Sequence, residues 1–449
     1  MSGSRLGSGL ELTLVSIRST IASLASSPDG PVTVSGWVET VRDQKKVQFV
    51  ILRDESGSAQ LVHPRTEESD PIADKISDLS LGSFITVSGN LKHDERVKLG
   101  GLEVVISELV VVTVALDNPI ADDSSIDKRL DWRFLDLRRP EQNLIAKVQT
   151  SFEWGMRKYW HENDFIEIHT PKLMASASES RAELFELEYF ETKAYLAQSP
   201  QFFKQMAQSA GFGKIFEIAP AFRADPSFTS RHATEFISVD AEISWIDSHE
   251  DVMKMHEDLL VSGITEVVEK HGSAIEALLG FTLEVPKTPF PRVTLAEARE
   301  ISKTSGHEIP RVDGDLDPEA ERRVSAWALE THGSPFVFVT EYDSTIRPFY
   351  HMRKEGDSNI TKSYDLLYNG TEIATGAQRE HRVDVLEAQA IEKGLHPEEL
   401  AEYLDFFRYG VPPHGGFGMG LSRVIMLMLQ QSSIREVTFL FRGPNRLTP

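Results

Sequence analysis

GKIFEIAPAFRADPSFTSRHATEFISVDAEISWI, residues 213–246, is the stretch on which the fold turns. In its second half Ile237, Val239, Ala241, Ile243 and Trp245 alternate with Ser238, Asp240, Glu242 and Ser244, the two-residue period of a strand with one apolar and one polar face. In its first half Phe216, Ile218 and Phe222 point one way and Glu217 and Arg223 the other. The spacing predicts two antiparallel strands joined by a loop that carries Arg231 and His232, so Arg223 and Asp240 share a face by parity alone. A half-exposed sheet with a polar outer face gives the same alternation. The cationic loop and the motifs further along count against that plainer reading.

Just upstream lies YLAQSPQFFKQMAQSAG, residues 195–211. Ser199 caps a helix with Pro200 at its first position, and Gln201, Lys204 and Gln208 form one polar stripe while Phe202, Phe203 and Met206 bury the rest. A helical lysine is ordinarily solvated, so spacing alone gives Lys204 no role. Downstream, NGTEIATGAQREHR sets Glu372, Thr375, Gln378 and Arg379 among small residues that allow close approach to a ligand. A glutamate with a hydroxyl three residues on can offer oxygens to Mg²⁺, though such a pair is more often structural. In HGGFGMGLSRVIMLML, Gly416, Gly418 and Gly420 precede a helix carrying Arg423. No Gly-Lys-Ser/Thr follows, and Leu421 stands where a dinucleotide fingerprint needs its third glycine. The segment reads either as close strand-to-helix packing or as a cation set beside a nucleotide phosphate.

From Val32 to about Val112 short alternating runs (VTVSGWVETV, VQFVILRD, SAQLVH, SFITVSGNL, EVVISELVVV) predict five strands of a small barrel, the OB-fold being the leading case. An amphipathic helix through Leu14, Ile17, Ile21 and Leu24 precedes it. An acidic connector leads to DKRLDWRFLDLRRP, either a solvated hinge helix or a nucleic-acid-facing strip through Arg129, Arg133, Arg138 and Arg139. Beyond it the pattern predicts a helix over 143–163, FIEIHTPKLM as a strand, and a helix from Asp247 or Ser248 to Gly272. The expected domains are 1–118, helix and barrel; 119–140, hinge; and 141–449, a larger domain of sheet and helices.

The 449 residues include no cysteine, which excludes disulfides, thiolate zinc sites, iron–sulfur clusters and a cysteine nucleophile. Lys and Arg number 47 against 69 Asp and Glu, a net charge of −22, which argues against nucleic-acid binding by bulk charge but leaves local patches open. No apolar run approaches the roughly 20 residues of a membrane helix. A small, polar N-terminus without the apolar core of a secretory signal points to the cytoplasm.

Together and in this order the segments resemble the three signature motifs of class II aminoacyl-tRNA synthetases, most closely the aspartyl type of archaea and eukaryotes. FIEIHTPKL is similar to motif 1, FRADPSFTSRHATEF to motif 2, and GFGMGLSRV with the terminal NRLTP to motif 3. The resemblance implies an α+β architecture: an anticodon-binding OB barrel, and an antiparallel catalytic sheet flanked by helices that dimerises through motif 1 around Pro171. It implies activation of L-aspartate with ATP and Mg²⁺ and transfer to tRNA(Asp), with tRNA(Asn) an open second acceptor. It also implies roles. Arg223 would hold the ATP α-phosphate, Phe236 would stack on adenine, and Arg231 and His232 would approach the β/γ end. Asp225 and Gly420 would border the ATP, Arg423 would lie over adenine and γ-phosphate, and Glu372 and Thr375 would hold Mg²⁺. The substrate ammonium would meet Asp240, Ser238, Gln201 and Glu179; its side-chain carboxylate would meet Lys204 and Arg379, with Thr375 also in the aspartate site. Phe49, Gln60 and Glu103 would read anticodon bases, Phe49 having an ordinary core role as its rival reading.

Five positions depart from the family's pattern. Glu179-Ser180-Arg181 stands where Glu-Gly-Gly is usual, Asp225 replaces Glu, Ser422 replaces an acid, and Phe441 replaces Pro. An asparaginyl enzyme, a paralogue that adenylates an acid without charging tRNA, and a non-catalytic tRNA-binding protein are the alternatives. Lys204 with Asp240 disfavours the first, the retained OB domain the second, and the presence of Arg223, Arg423 and Glu372 the third.

Overall fold

A computed structural model describes residues 18–65, 69–175, 183–227, 229–310 and 314–449. The chain divides into two compact units, Met1–Ser124 and Ser125–Pro449. Of the N-terminal helix, Leu14 and Ile17 lie outside the described residues; the described turn, Ile21–Leu24, buries Ile21 and Leu24.

In the first unit the five expected runs form strands Gly30–Asp43, Val47–Arg53, Ser58–Pro64, Phe84–His93 and Leu102–Thr113, closed into a barrel. Alternation decides which side chains fill it. Along VQFVILR the even positions Gln48, Val50 and Leu52 are buried and the odd positions half-exposed. The inward Gln48 donates from Nε2 to the Ala73 carbonyl at 3.0 Å, and that nitrogen lies equally close to Ser77 Oγ, both on the helix Pro71–Ser77.

The second unit is built on an eight-stranded sheet in the order 292–294, 336–340, 363–368, 371–378, 414–420, 235–244, 214–222, 166–167. The two strands quoted first pair antiparallel as their parity requires, with Glu217 opposite Asp240. Helices Pro140–Glu162 and His249–Leu279 cover one face, with Trp160 stacked on Phe216 at 4.0 Å. Behind the 414–420 strand His256 is fully buried and stacks on Phe417; burial drives its pKa down to about 3, so it packs as a neutral ring.

Several expectations are corrected. The helix after Ser248, held by a capping box with Asp251, does not stop at Gly272 but runs to Leu279 and ends on Gly280 in the left-handed region. Ile275 keeps its apolar face in the core for two further turns. FIEIHTPKLM is not one strand. It forms two short ones, Ile166–Glu167 and Leu173–Met174, because Thr170 between them turns to donate from N and Oγ1 to the buried Glu217 carboxylate, which Lys172 also meets at 3.1 Å. Residues 125–139 belong to the second unit. Their Arg129 and Arg133 are neither a solvated face nor a nucleic-acid strip: Arg133 donates to Asp136 and to the Glu436 and Thr438 carbonyls, and Arg129 pairs with Asp136 and Glu436. Among the described residues no helix is long and apolar enough to cross a membrane.

Candidate active site

Ser238, Asp240 and Glu242 stand opposite Gly420, Gly418 and Gly416 on the neighbouring strand. Gly416 and Gly418 leave open the space that the Glu242 and Asp240 side chains occupy. A Cβ on Gly418 would lie 3.2 Å from Asp240 Oδ1, and one on Gly416 would collide with the Ala241 carbonyl oxygen and the Glu242 carboxylate. Gly416→Ala is therefore expected to cost about 1–3 kcal/mol of stability, the usual range for overpacking. An unchanged thermal midpoint would show that the 235–244 backbone at Ala241, as well as the Glu242 side chain, shifts to make room.

The helix Gln201–Ser209 starts one residue later than expected, with Pro200 at the N-cap; Phe202 is buried as the sequence reading has it, but the polar stripe is buried too and Met206 is not. Gln201, Lys204, Gln205 and Gln208 are buried while Met206 is 40% exposed. The polar stripe is buried because it lies against the polar face of the 235–244 strand, where charges meet partners rather than oil. Lys204 Nζ donates to Asp240 Oδ1 at 3.0 Å and to the Phe417 carbonyl at 3.1 Å, and lies 3.5 Å from Glu242 Oε2. Ser244 Oγ donates to Gln208 Oε1 at 2.6 Å. Arg379 reaches the same carboxylate from the other side, donating from Nε to Glu242 Oε1 at 2.9 Å and from Nη2 to the Gly416 carbonyl at 2.9 Å. Burial works against the Glu242 carboxylate, but Arg379 and Lys204 outweigh it and hold the group below its ordinary range. One buried acid thus joins two buried cations, and Asp240 balances the second.

A second cluster lies where the hairpin ends. Arg223 follows the 214–222 strand; its N–H donates to the Thr234 carbonyl at 2.9 Å and its guanidinium lies 5.4 Å from the Phe236 ring centre. Arg231 pairs with Glu321 at 2.7 Å. His232 Nε2 is 3.9 Å from Asp225 Oδ2; burial, reinforced by Arg423, lowers its pKa and favours the neutral ring. Arg423 Nη1 donates to the Glu372 carbonyl at 2.7 Å. Thr375 Oγ1 lies 2.7 Å from Asp365 Oδ1 and 3.2 Å from Glu372 Oε1, and Arg347 Nη2 donates to Asp365 Oδ2 at 2.5 Å. Burial pushes the Asp365 carboxyl up to about 6 against the pull of Arg347. Burial also opposes ionisation of Glu372, but Arg423 and Arg347 more than offset it and keep its pKa low.

Every residue tied above to ATP or the amino acid, Glu179 apart, lines one cavity of about 460 Å³. Glu179, with Ser180 and Arg181, lies outside the described residues. Residues 125–442 match the family described as tRNA synthetases class II (D, K and N), and residues 32–112 the OB-fold nucleic acid binding domain. The chain belongs to the class II tRNA synthetases. Among relatives of this synthetase, an aspartate–tRNA(Asp) ligase of Thermococcus kodakarensis is 42% identical over 93% of this chain and 96% of its own. An aspartate–tRNA(Asp/Asn) ligase of Methanopyrus kandleri is 43% identical over 95% of this chain and 98% of its own. The asparaginyl-tRNA synthetase of Pyrococcus horikoshii, solved with asparaginyl-adenylate, superposes with a TM-score of 0.90 at 31% identity, covering 96% of this chain and 99% of that one.

In the synthetase's barrel, Phe49 sits half-exposed on the outer side of its strand, which removes the core reading. Ile51, Gln60 and Glu103 are register partners across three strands, and Gln60 Nε2 donates to Glu103 Oε2 at 3.0 Å. Phe49, two residues from Ile51, shares that face.

Sequence reasoning missed Glu242 as the joint between the cations, and also Asp365, Arg347 and Glu321. Asp365 left one signal, a lone acid inside the apolar run SYDLLY. Glu321 left none, since it comes from a helix, Pro318–His332, far along the chain from Arg231.

Proposed function

We propose that this synthetase activates L-aspartate with ATP, releasing pyrophosphate, and transfers the aspartyl group to the 3′ end of tRNA(Asp). The observation that carries the reading is the pairing of Lys204 and Arg379 through Glu242 at one end of the cavity, with Arg223, Arg423 and Glu372 at the other. A side-chain carboxylate satisfies both cations. Both cations already have carboxylate partners in Asp240 and Glu242, so the discrimination lies in what the substrate adds: a carboxylate takes charge-assisted hydrogen bonds from both, and the neutral amide of asparagine takes weaker ones and turns an NH₂ donor toward a cation, a difference of roughly 1–3 kcal/mol. Relatives at 42% identity named for aspartate support the same choice.

In this reading the α-carboxylate of aspartate attacks the α-phosphorus and pyrophosphate leaves; a ribose hydroxyl of the tRNA end then takes the aspartyl group and AMP leaves. Both nucleophiles belong to substrates, so the protein positions and neutralises. Arg223 sits on the α-phosphate, Phe236 on adenine, Arg231, His232 and Asp225 around the β/γ end, and Arg423 over adenine and γ-phosphate, with Gly420 allowing close approach. Asp240, Ser238 and Gln201 receive the ammonium. Asp365, Glu372 and Thr375 are hard oxygen donors with only two carboxylates among them, a set that fits Mg²⁺ sharing phosphate oxygens. When bound there, the ion would offset triphosphate charge.

Phe49, Gln60 and Glu103 would meet the anticodon, where stacking contributes about 1–3 kcal/mol per base and lets an acidic protein bind RNA through few contacts. The edge strand Ile166–Glu167, with Ile166 44% exposed, supports pairing with a second copy through motif 1. The working site is the cytoplasm. Because one relative at 43% identity is named for both tRNAs, tRNA(Asn) is a second acceptor to test. Transcripts of tRNA(Asp) and tRNA(Asn) incubated with ATP, Mg²⁺ and labelled aspartate or asparagine should be charged with aspartate. Charging of tRNA(Asp) alone marks a discriminating enzyme, and of both a non-discriminating one. Asparagine as the preferred amino acid would overturn the reading.

A further inference from the structure

The polar stripe of the 201–209 helix continues away from the cavity as a run of hydrogen bonds whose direction is set at its far end. His414, the first residue of the 414–420 strand, is fully buried, and its Nδ1 lies 2.9 Å from the Pro412 carbonyl oxygen. That oxygen can only accept, so Nδ1 carries the proton. Burial holds the ring neutral, with a pKa of about 4, and Nε2 is left as an acceptor. Gln205 Nε2 lies 3.1 Å from it and donates. The Gln205 carbonyl therefore points the opposite way, accepting from Gln201 Nε2 at 2.9 Å and from the Tyr403 hydroxyl at 2.9 Å. A phenol can donate or accept, so Tyr403 follows this direction rather than setting it. With its amide nitrogen turned to Gln205, Gln201 presents Oε1 as its other end, at the cavity it lines.

We propose that His414 is a positioning residue for the amino acid: acting through Gln205, it locks the Gln201 amide with its carbonyl oxygen toward the substrate ammonium. A flipped amide would set NH₂ against NH₃⁺, two donors with nothing between them. The proposal rests on the reading that Gln201 meets the ammonium.

Aspartate-dependent ATP–pyrophosphate exchange tests both and separates them. Wild-type exchange that depends on aspartate, lost or weakened in Gln201→Leu, upholds the underlying reading; no such dependence ends that reading and the relay with it. His414→Asn keeps a donor for the Pro412 carbonyl but is too short to reach Gln205. It should raise KM for aspartate about 10-fold, the loss of roughly one directed hydrogen bond, with KM for ATP unchanged. In His414→Gln the longer side chain places an amide oxygen where Nε2 stood, and KM for aspartate should return to near the wild-type value. If the Asn variant does not fold, Gln205→Met removes the middle link and must produce the same rise. Equal aspartate KM in His414→Asn and His414→Gln, or KM for ATP rising in step with that for aspartate, overturns the relay and leaves a structural histidine.

Discussion

Lys204→Ala should abolish aspartate-dependent pyrophosphate exchange while ATP still binds. Lys204 is 2% exposed and holds Asp240 at 3.0 Å, with Glu242 at 3.5 Å. Removing it leaves Glu242 with Arg379 but takes the lysine ion pair from the buried Asp240. Breaking one side of a buried ion pair typically costs about 3–5 kcal/mol, so part of the loss will appear as a lower melting temperature. A fall in activity could then be dismissed as unfolding. The double variant Lys204→Met with Asp240→Asn removes both charges of the pair, and replacing a buried pair by neutral groups of similar size is often close to neutral for stability. It should recover the melting temperature without recovering exchange. Binding of ATP, read by equilibrium titration, should be near normal in both, because the cations at the phosphate end come from other elements. Near-normal aspartate-dependent exchange in the single variant would remove Lys204 from the specificity site, and loss of ATP binding in the refolded double variant would show that the two ends of the cavity are not separable.

Some of this was written in the sequence and some was not, and the division has a physical cause. The hairpin of residues 214–244 and the five barrel strands were legible because a period of two fixes which side chains share a face without any knowledge of what lies opposite. The stripe on the 201–209 helix was legible as a stripe, and Phe202 is buried as expected, yet the burial of the stripe itself was not legible. Helical spacing groups Gln201, Lys204 and Gln208; only the neighbouring strand, with Asp240 and Glu242, decides that this side is buried and Met206 is exposed. The extent of the long helix failed at Gly272 for a related reason: a glycine marks a permissible end, and Ile275 beyond it still had core to fill. Motif 1 broke into two short strands because Thr170 and Lys172 are drawn to Glu217, a contact between segments some forty-five residues apart that periodicity does not contain. The glycines of the 414–420 strand needed register before their purpose was visible: each stands opposite one of Ser238, Asp240 and Glu242. Asp365 and Arg347 are the same kind of case, since a lone acid in an apolar strand gains meaning only when Thr375 and Glu372 come beside it.

Arg223→Ala should lower kcat for aspartyl-adenylate formation about 10²–10³-fold, the usual loss when one donor to developing charge is removed. The reaction moves charge at the α-phosphate as a carboxylate attacks and pyrophosphate departs, and Arg223 is set in place by the strand end it follows and by the groups beside it. Its backbone N–H closes the hairpin on Thr234, its guanidinium faces the Phe236 ring at 5.4 Å, and Asp225 lies close enough for Arg223 to help lower its pKa. A side chain fixed this way adds little reorganisation when charge appears, which is why the effect should fall on kcat more than on KM for aspartate. Arg223→Lys separates charge from shape. An ammonium keeps the positive charge but cannot offer two parallel N–H groups to one phosphate, so the lysine variant should sit between wild type and alanine, nearer to alanine. Full activity in the lysine variant would mean that simple charge neutralisation suffices. A rise in KM for ATP with kcat intact in the alanine variant would move Arg223 from the reacting phosphate to ground-state nucleotide binding, and Arg423, which donates to the Glu372 carbonyl, would become the stronger candidate for the α-phosphate.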